Sequence, residues 1–388
     1  MKKKIAVLGS TGSLGKILCN YISKNLNKYN VSLLVANKNS SQLLNQAKKL
    51  NAKNIIIYNK EIFKKLSNQK LKFNVFNNID DFQKNNKGKF LDYTLAAISG
   101  LNGLDPTFKI IKNSKVIAIA NKESIICAWN LIEKELKKFN TKFIPVDSEH
   151  FTSWFSLKDK KVKIKKIYLT ASGGPFLNTN RNNRNFFTLS KALDHPNWKM
   201  GNKITIDSST MMNKVFEIIE AKNIFNLRYD NLLILTHPKS YIHSIILYEN
   251  GIFELVGHET NMKIPIINSI SNKGNFKFKN LYLDLKKLNH LDLKIIDEKQ
   301  FPTVKILKQL PKNTSLFETI IVSLNDALVD LFLSKRINFF ELNNNLLNFL
   351  KKKEFTKYKK RRPQKIRDIL NLANNINLKV KNMLYKNI

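Results

Sequence analysis

The chain opens with a short apolar run, a glycine turn and a stretch of helical spacing: "KKIAVLGSTGSLGKILCNYISKN". "VSLLVANKN" then reads as a second strand and "SSQLLNQAKKL" as the helix after it. "NIIIYN", "KFNVF", "DYTLAAISG" and "KVIAIANKES" are further apolar runs divided by polar or helical stretches. "TKFIPVDSEH" closes the series with a strand that runs into two acids, Asp147 and Glu149. Such alternation predicts a doubly wound, mostly parallel α/β sheet of Rossmann type over 1–147. Over 148–270 the pattern turns mixed, with strands at "KIKKIYLTASG", "LLILTH" and "IHSIILYENGIFELVG" and a helix near 210–225, which predicts a central α+β domain. Little periodicity marks 271–298, which reads as a linker. From 299 to 388 the spacing predicts amphipathic helices at 315–335, 338–352 and 363–385, a C-terminal helical bundle.

Composition narrows the function classes. A chain of 388 residues exceeds one ordinary core, and 43% hydrophobic content supports globular folding. The formal charge of +38 raises nucleic acid as a partner. Lys and Asn are nevertheless spread along the whole length, as an AT-rich genome would encode them, and no basic stripe interleaved with aromatics stands out. A specific nucleic-acid partner is therefore not expected, although the charge favours anionic substrates such as phosphates. Cys19 and Cys127 provide neither a disulfide framework nor a thiolate metal site. The apolar run in "MKKKIAVLGSTG" is too short for a signal peptide, and no run reaches bilayer-spanning length. A soluble, cytoplasmic protein without membrane partners is the expectation.

Three clusters carry candidate chemistry. Gly9, Gly12 and Gly15 lie between the first strand and its helix, where bare backbone N–H groups and the helix dipole suit a pyrophosphate. The second strand ends in "VANKNSS", with Lys38, Asn39 and Ser40 and no acid; a cation there favours the 2′-phosphate of NADPH over NAD. Asp147 and Glu149, with Glu217 or Glu220 from "DSSTMMNKVFEIIEA", offer oxygen ligands suited to Mg²⁺ or Mn²⁺. Solvated loop acids would give the same spacing. Finally, "HPNWKMGNKITIDSSTMMNK" gathers His195, Trp198, Lys203, Ser208, Ser209, Thr210, Asn213 and Lys214 before a helix, a candidate phosphate cradle with Ser172 of "TASGGPF".

"GSTGSLG", "ANKES" (120–124), "PVDSEH" (145–150), "SGGPF" (172–176), "HPNWKMG" (195–201), "DSSTMMNK…E" (207–217) and "HPKSYIHS" (237–244) together resemble the 1-deoxy-D-xylulose 5-phosphate reductoisomerases. The likeness runs in order over about 1–270; the remainder matches mainly in helical character. The resemblance implies an enzyme of isoprenoid precursor synthesis that rearranges 1-deoxy-D-xylulose 5-phosphate, by retro-aldol cleavage and re-aldol joining, and reduces the product with NADPH to 2-C-methyl-D-erythritol 4-phosphate. It implies that Thr11, Gly12, Ser13 and Leu14 hold the pyrophosphate, Asn37, Lys38 and Asn39 the 2′-phosphate ribose, and Asn121, Glu123 and Gly201 other parts of NADPH. Asp147, Glu149 and Glu217 would ligate Mg²⁺ or Mn²⁺, with Co²⁺ a third candidate. Lys122, Ser148 and Glu149 would meet the reacting carbons, and Ser172, His195, Ser208, Asn213 and Lys214 the substrate phosphate. The "HPNWKMG" segment would be a lid that closes Trp198 over the substrate, with Met200 nearby. A homodimer is implied as well. Two departures stand out. Asn37 replaces a common glycine, an exchange that would either crowd the cofactor ribose or be accommodated by a positive φ. "VSLNDA" (322–327) keeps Asn325 but puts Asp326 where the family has Glu. A reductase of another phosphorylated sugar is the alternative reading.

Overall fold

The computed structural model describes all residues except Lys89, Lys199, 272–277, 279–281 and 386–388; for 383–385 it describes the backbone only. The described chain divides into two units. One holds Met1–Ser124, Asn130–Phe151 and Met262–Asn280; the other holds Ile125–Trp129, Thr152–Asn261 and Leu281–Ile388.

The first unit is built on seven strands: β1 (Lys3–Leu8), β2 (Tyr29–Ala36), β3 (Asn54–Ile57), β4 (Asn74–Phe76), β5 (Tyr93–Ala96), β6 (Val116–Ile119) and β7 (Lys142–Pro145). All pair in parallel, in the order β4-β3-β2-β1-β5-β6-β7. The runs IAVL of β1 and III of β3 (Ile55–Ile57) are fully buried, as strands covered on both faces must be. The order reverses between β1 and β5, so a crevice opens at their C-terminal ends. Lys263–Ile270, which the spacing assigns to the central domain, instead forms a helix packed on the helix Ser13–Ser23 of this unit. A buried hydrogen bond, Tyr93 Oη to Ser269 Oγ at 2.6 Å, ties it to β5.

The second unit carries five strands: β8 (Ile164–Ala171), β9 (Leu232–Thr236), β10 (Ile242–Tyr248), β11 (Phe253–Gly257) and β12 (Lys294–Ile295), in the order β11-β10-β8-β9-β12. Strands β10 and β11 form the hairpin that the alternation in "IHSIILYENGIFELVG" predicts. The two-residue β12, on the edge beside β9, lies inside the stretch read as a linker; so short a strand leaves no periodicity to detect. The helix expected near 210–225 is Met212–Ile224, and a separate short helix, Asn202–Ser209, precedes it. Ile218 and Ala221 of Met212–Ile224 pack with Ile167, Leu169 and Ile234 of the sheet. Helices Leu316–Leu333, Phe339–Lys351 and Ile366–Tyr385 form the C-terminal helical region, with Leu316–Leu333 buried almost all round. Among the described residues no helix is long and apolar enough to cross a membrane.

Candidate active site

The candidate groups of the first unit sit where its strands end. Gly9, after β1, has φ +82°, and a Cβ there would lie 2.6 Å from the Ala97 carbonyl oxygen. A Cβ on Gly15 would lie 2.2 Å from the Gly9 oxygen, so only a side chain of hydrogen lets the helix Ser13–Ser23 meet the strand end this closely. Gly12 is the N-cap of that helix and gives it no side-chain cap. The first-turn N–H groups, with Thr11, Ser13 and Leu14 around them, thus keep the donor character that an anion requires. After β2, Asn37, Lys38 and Asn39 are exposed, and no carboxylate stands among them. The Asn39 side chain caps the helix Ser40–Lys49, accepting from the Gln42 N–H at 3.2 Å. Asn37 is exposed and is not among the residues with positive φ, so a left-handed backbone does not accommodate its replacement of glycine.

After β6, the Asn121 side chain caps the helix Lys122–Lys138 and donates to the carbonyls of Ile98 at 2.7 Å and Gly100 at 2.9 Å and to Glu123 Oε2 at 3.0 Å. Its amide is committed to shaping the loop that follows β5. Lys122 opens that helix and places its Nζ 2.8 Å from Asp147 Oδ2, after the neighbouring strand β7. Asp147 Oδ1 accepts from the Ser148 N–H at 3.0 Å, and Ser148 Oγ donates to Glu149 Oε2 at 2.6 Å. Burial alone would raise the Asp147 pKa, and the charge of Glu149 adds to that. The Lys122 ammonium and the nearby His150 prevail and hold the carboxyl below its ordinary range. Asp147 is therefore anionic at neutral pH.

In the second unit, "TASGGPF" leaves β8 through Gly173 and Gly174, both at positive φ. A Cβ on Gly174 would come 3.1 Å from the Ser208 carbonyl oxygen, so the turn lies directly against the end of the helix Asn202–Ser209. His195 joins the two: its Nε2 is 3.1 Å from Ser172 Oγ and 3.1 Å from Ser208 Oγ. Its Nδ1 accepts from the backbone N–H groups of Asn197 and Trp198, both at 3.1 Å. An Nδ1 facing two donors carries no proton, so the hydrogen resides on Nε2. Burial pushes the His195 pKa down to about 4, which agrees with a neutral ring. Gly201 is the exposed N-cap of the helix Asn202–Ser209. The Trp198 ring lies 6.2 Å from that of His243, and Lys199, beside it, lies outside the described residues.

The next helix follows a strained junction, for Met211 is buried at φ +67°. One turn on, Asn213 donates to Glu217 Oε1, and Lys214 pairs with Glu217 Oε2 while donating to the Thr170 carbonyl at 2.5 Å. Three members of the expected cradle do something else. Ser209 and Thr210 donate their hydroxyls to helix carbonyls of Ile206 and Asp207, the usual back-bonding of hydroxyl residues three and four positions along a helix. Lys203 turns to Asp207 and Asp326. Glu220 is buried on the same helix as Glu217. Sequence reasoning did not single out Asn197, whose side-chain amide donates to the Pro238 carbonyl at 2.5 Å and Ser240 Oγ at 3.0 Å, tying "HPNW" to "HPKS". Its place between His195 and Trp198 was the available signal.

These elements give an uncapped glycine turn suited to an anion, one carboxylate held charged by Lys122 and another paired with Lys214, and a Ser–His–Ser group able to donate to an oxyanion. The 1-deoxy-D-xylulose 5-phosphate reductoisomerase family model matches residues 5–129, its C-terminal domain model residues 143–225, and the DXP reductoisomerase C-terminal domain model residues 258–377. The chain is 52% identical to the 1-deoxy-D-xylulose 5-phosphate reductoisomerase of Pelagibacter ubique, over 98% of its own length and 99% of that protein. It is 40% identical to the enzyme from a Wolbachia of Drosophila simulans, over 88% of each chain. Among solved structures, the Zymomonas mobilis enzyme in complex with NADPH is similar at TM-score 0.84 and 29% identity, covering 99% of both chains. A DOX-P reductoisomerase in complex with NADPH, fosmidomycin and magnesium is similar at TM-score 0.86 and 27% identity, covering 99% of this chain and 98% of that one. The chain belongs to the 1-deoxy-D-xylulose 5-phosphate reductoisomerase family.

Proposed function

We propose that the side chains described above carry the family's reaction in this chain: the NADPH- and divalent-metal-dependent conversion of 1-deoxy-D-xylulose 5-phosphate to 2-C-methyl-D-erythritol 4-phosphate. The observation that carries the assignment is the pairing of acids with ammonium groups, Lys122 on Asp147 and Lys214 on Glu217. Inner carboxylates are costly without a cation beside them, and an all-oxygen donor set fits a hard divalent ion. Asp147, Glu149 and Glu217 would hold Mg²⁺ or Mn²⁺. When bound, the ion supplies Lewis-acid polarisation of the substrate's ketone and hydroxyl oxygens, and NADPH supplies the hydride.

The protein's own part is binding and orientation. His195 donates from Nε2 to the phosphate, beside the hydroxyls of Ser172 and Ser208, while Asn213 and Lys214 complete its shell. Because the ring is neutral, it contributes a directed donor rather than a charge, and the positive charge comes from Lys214. Lys122 and Ser148 face the reacting carbons, with the Lys122 ammonium keeping Asp147 ionised. Thr11 to Leu14 take the pyrophosphate on the uncapped helix start, and Lys38 with Asn37 and Asn39 the 2′-phosphate, a fit supported by the absence of an acid after β2. Asn121, Glu123 and Gly201 line the rest of the cofactor. Trp198 and Met200 would cover the substrate and exclude water from the reacting carbons. Purified protein with Mg²⁺ should oxidise NADPH only when 1-deoxy-D-xylulose 5-phosphate is present, and a chelator should abolish the oxidation. Equal rates with another phosphorylated sugar would instead favour the alternative reductase, which family membership disfavours.

A homodimer fits the exposed edge of the second sheet. Among the described residues strand β11 pairs only with β10; Phe253 and Leu255 on it are 60% and 41% exposed, and Ile252 just before it is 60% exposed. An unpaired edge with apolar side chains is a template for a second chain. Sedimentation should give twice the chain mass, and Phe253→Lys should give the chain mass; a monomeric parent would refute the dimer. Two free, buried cysteines also fit a cytoplasmic location, which fractionation using the same NADPH assay would locate.

A further inference from the structure

Ser208 has a neighbour that the reaction as described does not use. Asp207 is buried, and its Oδ1 accepts from Asn325 Nδ2 at 2.7 Å. Asn325 lies in the middle of the helix Leu316–Leu333, fully buried beside Val322, Leu324, Leu328 and Val329. Lys203, one turn before Asp207, stands 3.6 Å from Asp207 Oδ2 and 2.8 Å from Asp326 Oδ1. Thr303 Oγ1, also buried, donates to the Thr210 carbonyl at 2.5 Å, just past the end of the same short helix.

A carboxylate and an amide inside an apolar helix packing are unfavourable unless their bonds are satisfied, and the bonds that satisfy them are directional. Successive residues on a helix project about 100° apart. Fixing the direction of Asp207 therefore fixes that of Ser208, whose Oγ faces His195 Nε2 at 3.1 Å. We propose that Asn325 is a positioning residue for the substrate's phosphate: by holding Asp207 it sets the rotation of the helix Asn202–Ser209 and so aims the Ser208 hydroxyl, with Lys203, itself paired with Asp326, bracing the same carboxylate. The C-terminal helical region thereby has a part in substrate affinity. The inference rests on the assignment of Ser172, His195 and Ser208 to the phosphate.

The test is a double-mutant comparison in the Mg²⁺-loaded enzyme. Asn325→Leu keeps volume and removes the donor. It should raise KM for 1-deoxy-D-xylulose 5-phosphate about tenfold, the scale of one hydrogen bond to a charged group, while kcat and KM for NADPH stay within about threefold. In a Ser208→Ala background the same exchange should change KM by less than about twofold, because the group it aims is gone. An undiminished effect in that background, an equal rise in KM for NADPH, or no effect of Asn325→Leu at all would overturn the proposal. A Ser208→Ala enzyme with unchanged KM would sink the phosphate assignment itself, a different failure. Should Asn325→Leu not fold, Lys203→Met at a partly exposed position serves in its place. It should raise KM about threefold, as for a weaker, more solvated charge, and the rise should vanish with Ser208→Ala; a rise that persists there overturns the proposal.

Discussion

Glu217→Gln is expected to lower kcat/KM by about a thousandfold, or about 4 kcal/mol, the scale of losing metal-assisted charge stabilisation. Glu217 is 1% exposed, on a helix whose neighbouring side chains are locked in the core against β8 and β9. Gln preserves volume and keeps one acceptor oxygen for Lys214 or Asn213, so the exchange removes the negative charge and one of the two acceptors. NADPH affinity should stay near the parent's, while a Mn²⁺ titration should saturate only at much higher concentration. Asp147→Asn and Glu149→Gln should behave alike. Near-parental turnover in any of the three, measured on folded protein with saturating NADPH, would reject the carboxylate assignment.

The second large effect concerns Lys214. Its ammonium reaches Glu217 on one side and the Thr170 carbonyl on the other, two residues before Ser172. It therefore belongs both to the acid that would ligate the metal and to the strand that leads into the phosphate turn. Lys214→Met should raise KM for the substrate about a hundredfold, the loss of one charge-assisted contact to a phosphate. It should also destabilise the metal-free protein by about 3–5 kcal/mol, since the buried Glu217 loses the ammonium that is paired with it. The sign of the rescue is diagnostic. Mn²⁺ binds the folded form only and supplies a positive charge to the same carboxylate, so thermal unfolding of the variant should recover with Mn²⁺ more than that of the parent. A melting temperature that stays low however much Mn²⁺ is added would mean that Glu217 is not a metal ligand.

Most of the first unit was legible because its signals are local. Each strand is a mostly apolar run of three to eight residues, and each is followed by a glycine, an Asn or an acid that leads into the next helix. The glycine turn could be read in the same way, since Gly12 and Gly15 close on the Gly9 carbonyl a few residues away, although Gly9 itself meets the distant Ala97. The family resemblance then supplied what spacing left open, including the choice of Glu217 over Glu220. The parts that escaped were short or spent elsewhere. Strand β12 is too brief to leave a pattern, and Ser209 and Thr210 look identical to Ser208 in a sequence although their hydroxyls bond back to their own helix. Asn197 escaped despite its place between His195 and Trp198, because the partners of its amide, the Pro238 carbonyl and Ser240 Oγ, lie about forty residues away.

What the sequence by itself determined is the set of elements, their βαβ rhythm and the kinds of side chain placed at the strand ends, because backbone propensity and burial act over a handful of residues. What only the tertiary structure decided is which of those side chains meet. Lys122 reaches Asp147 because β6 and β7 are neighbours in the sheet. His195 becomes a neutral donor because a loop folds two backbone N–H groups onto its Nδ1 and two hydroxyls onto its Nε2. Asp207 is held by an amide 118 residues away, on a helix whose sequence reads as ordinary core. Hydrogen bonds and ion pairs are short-ranged and directional, so their partners are chosen only when packing brings distant segments within about 3 Å.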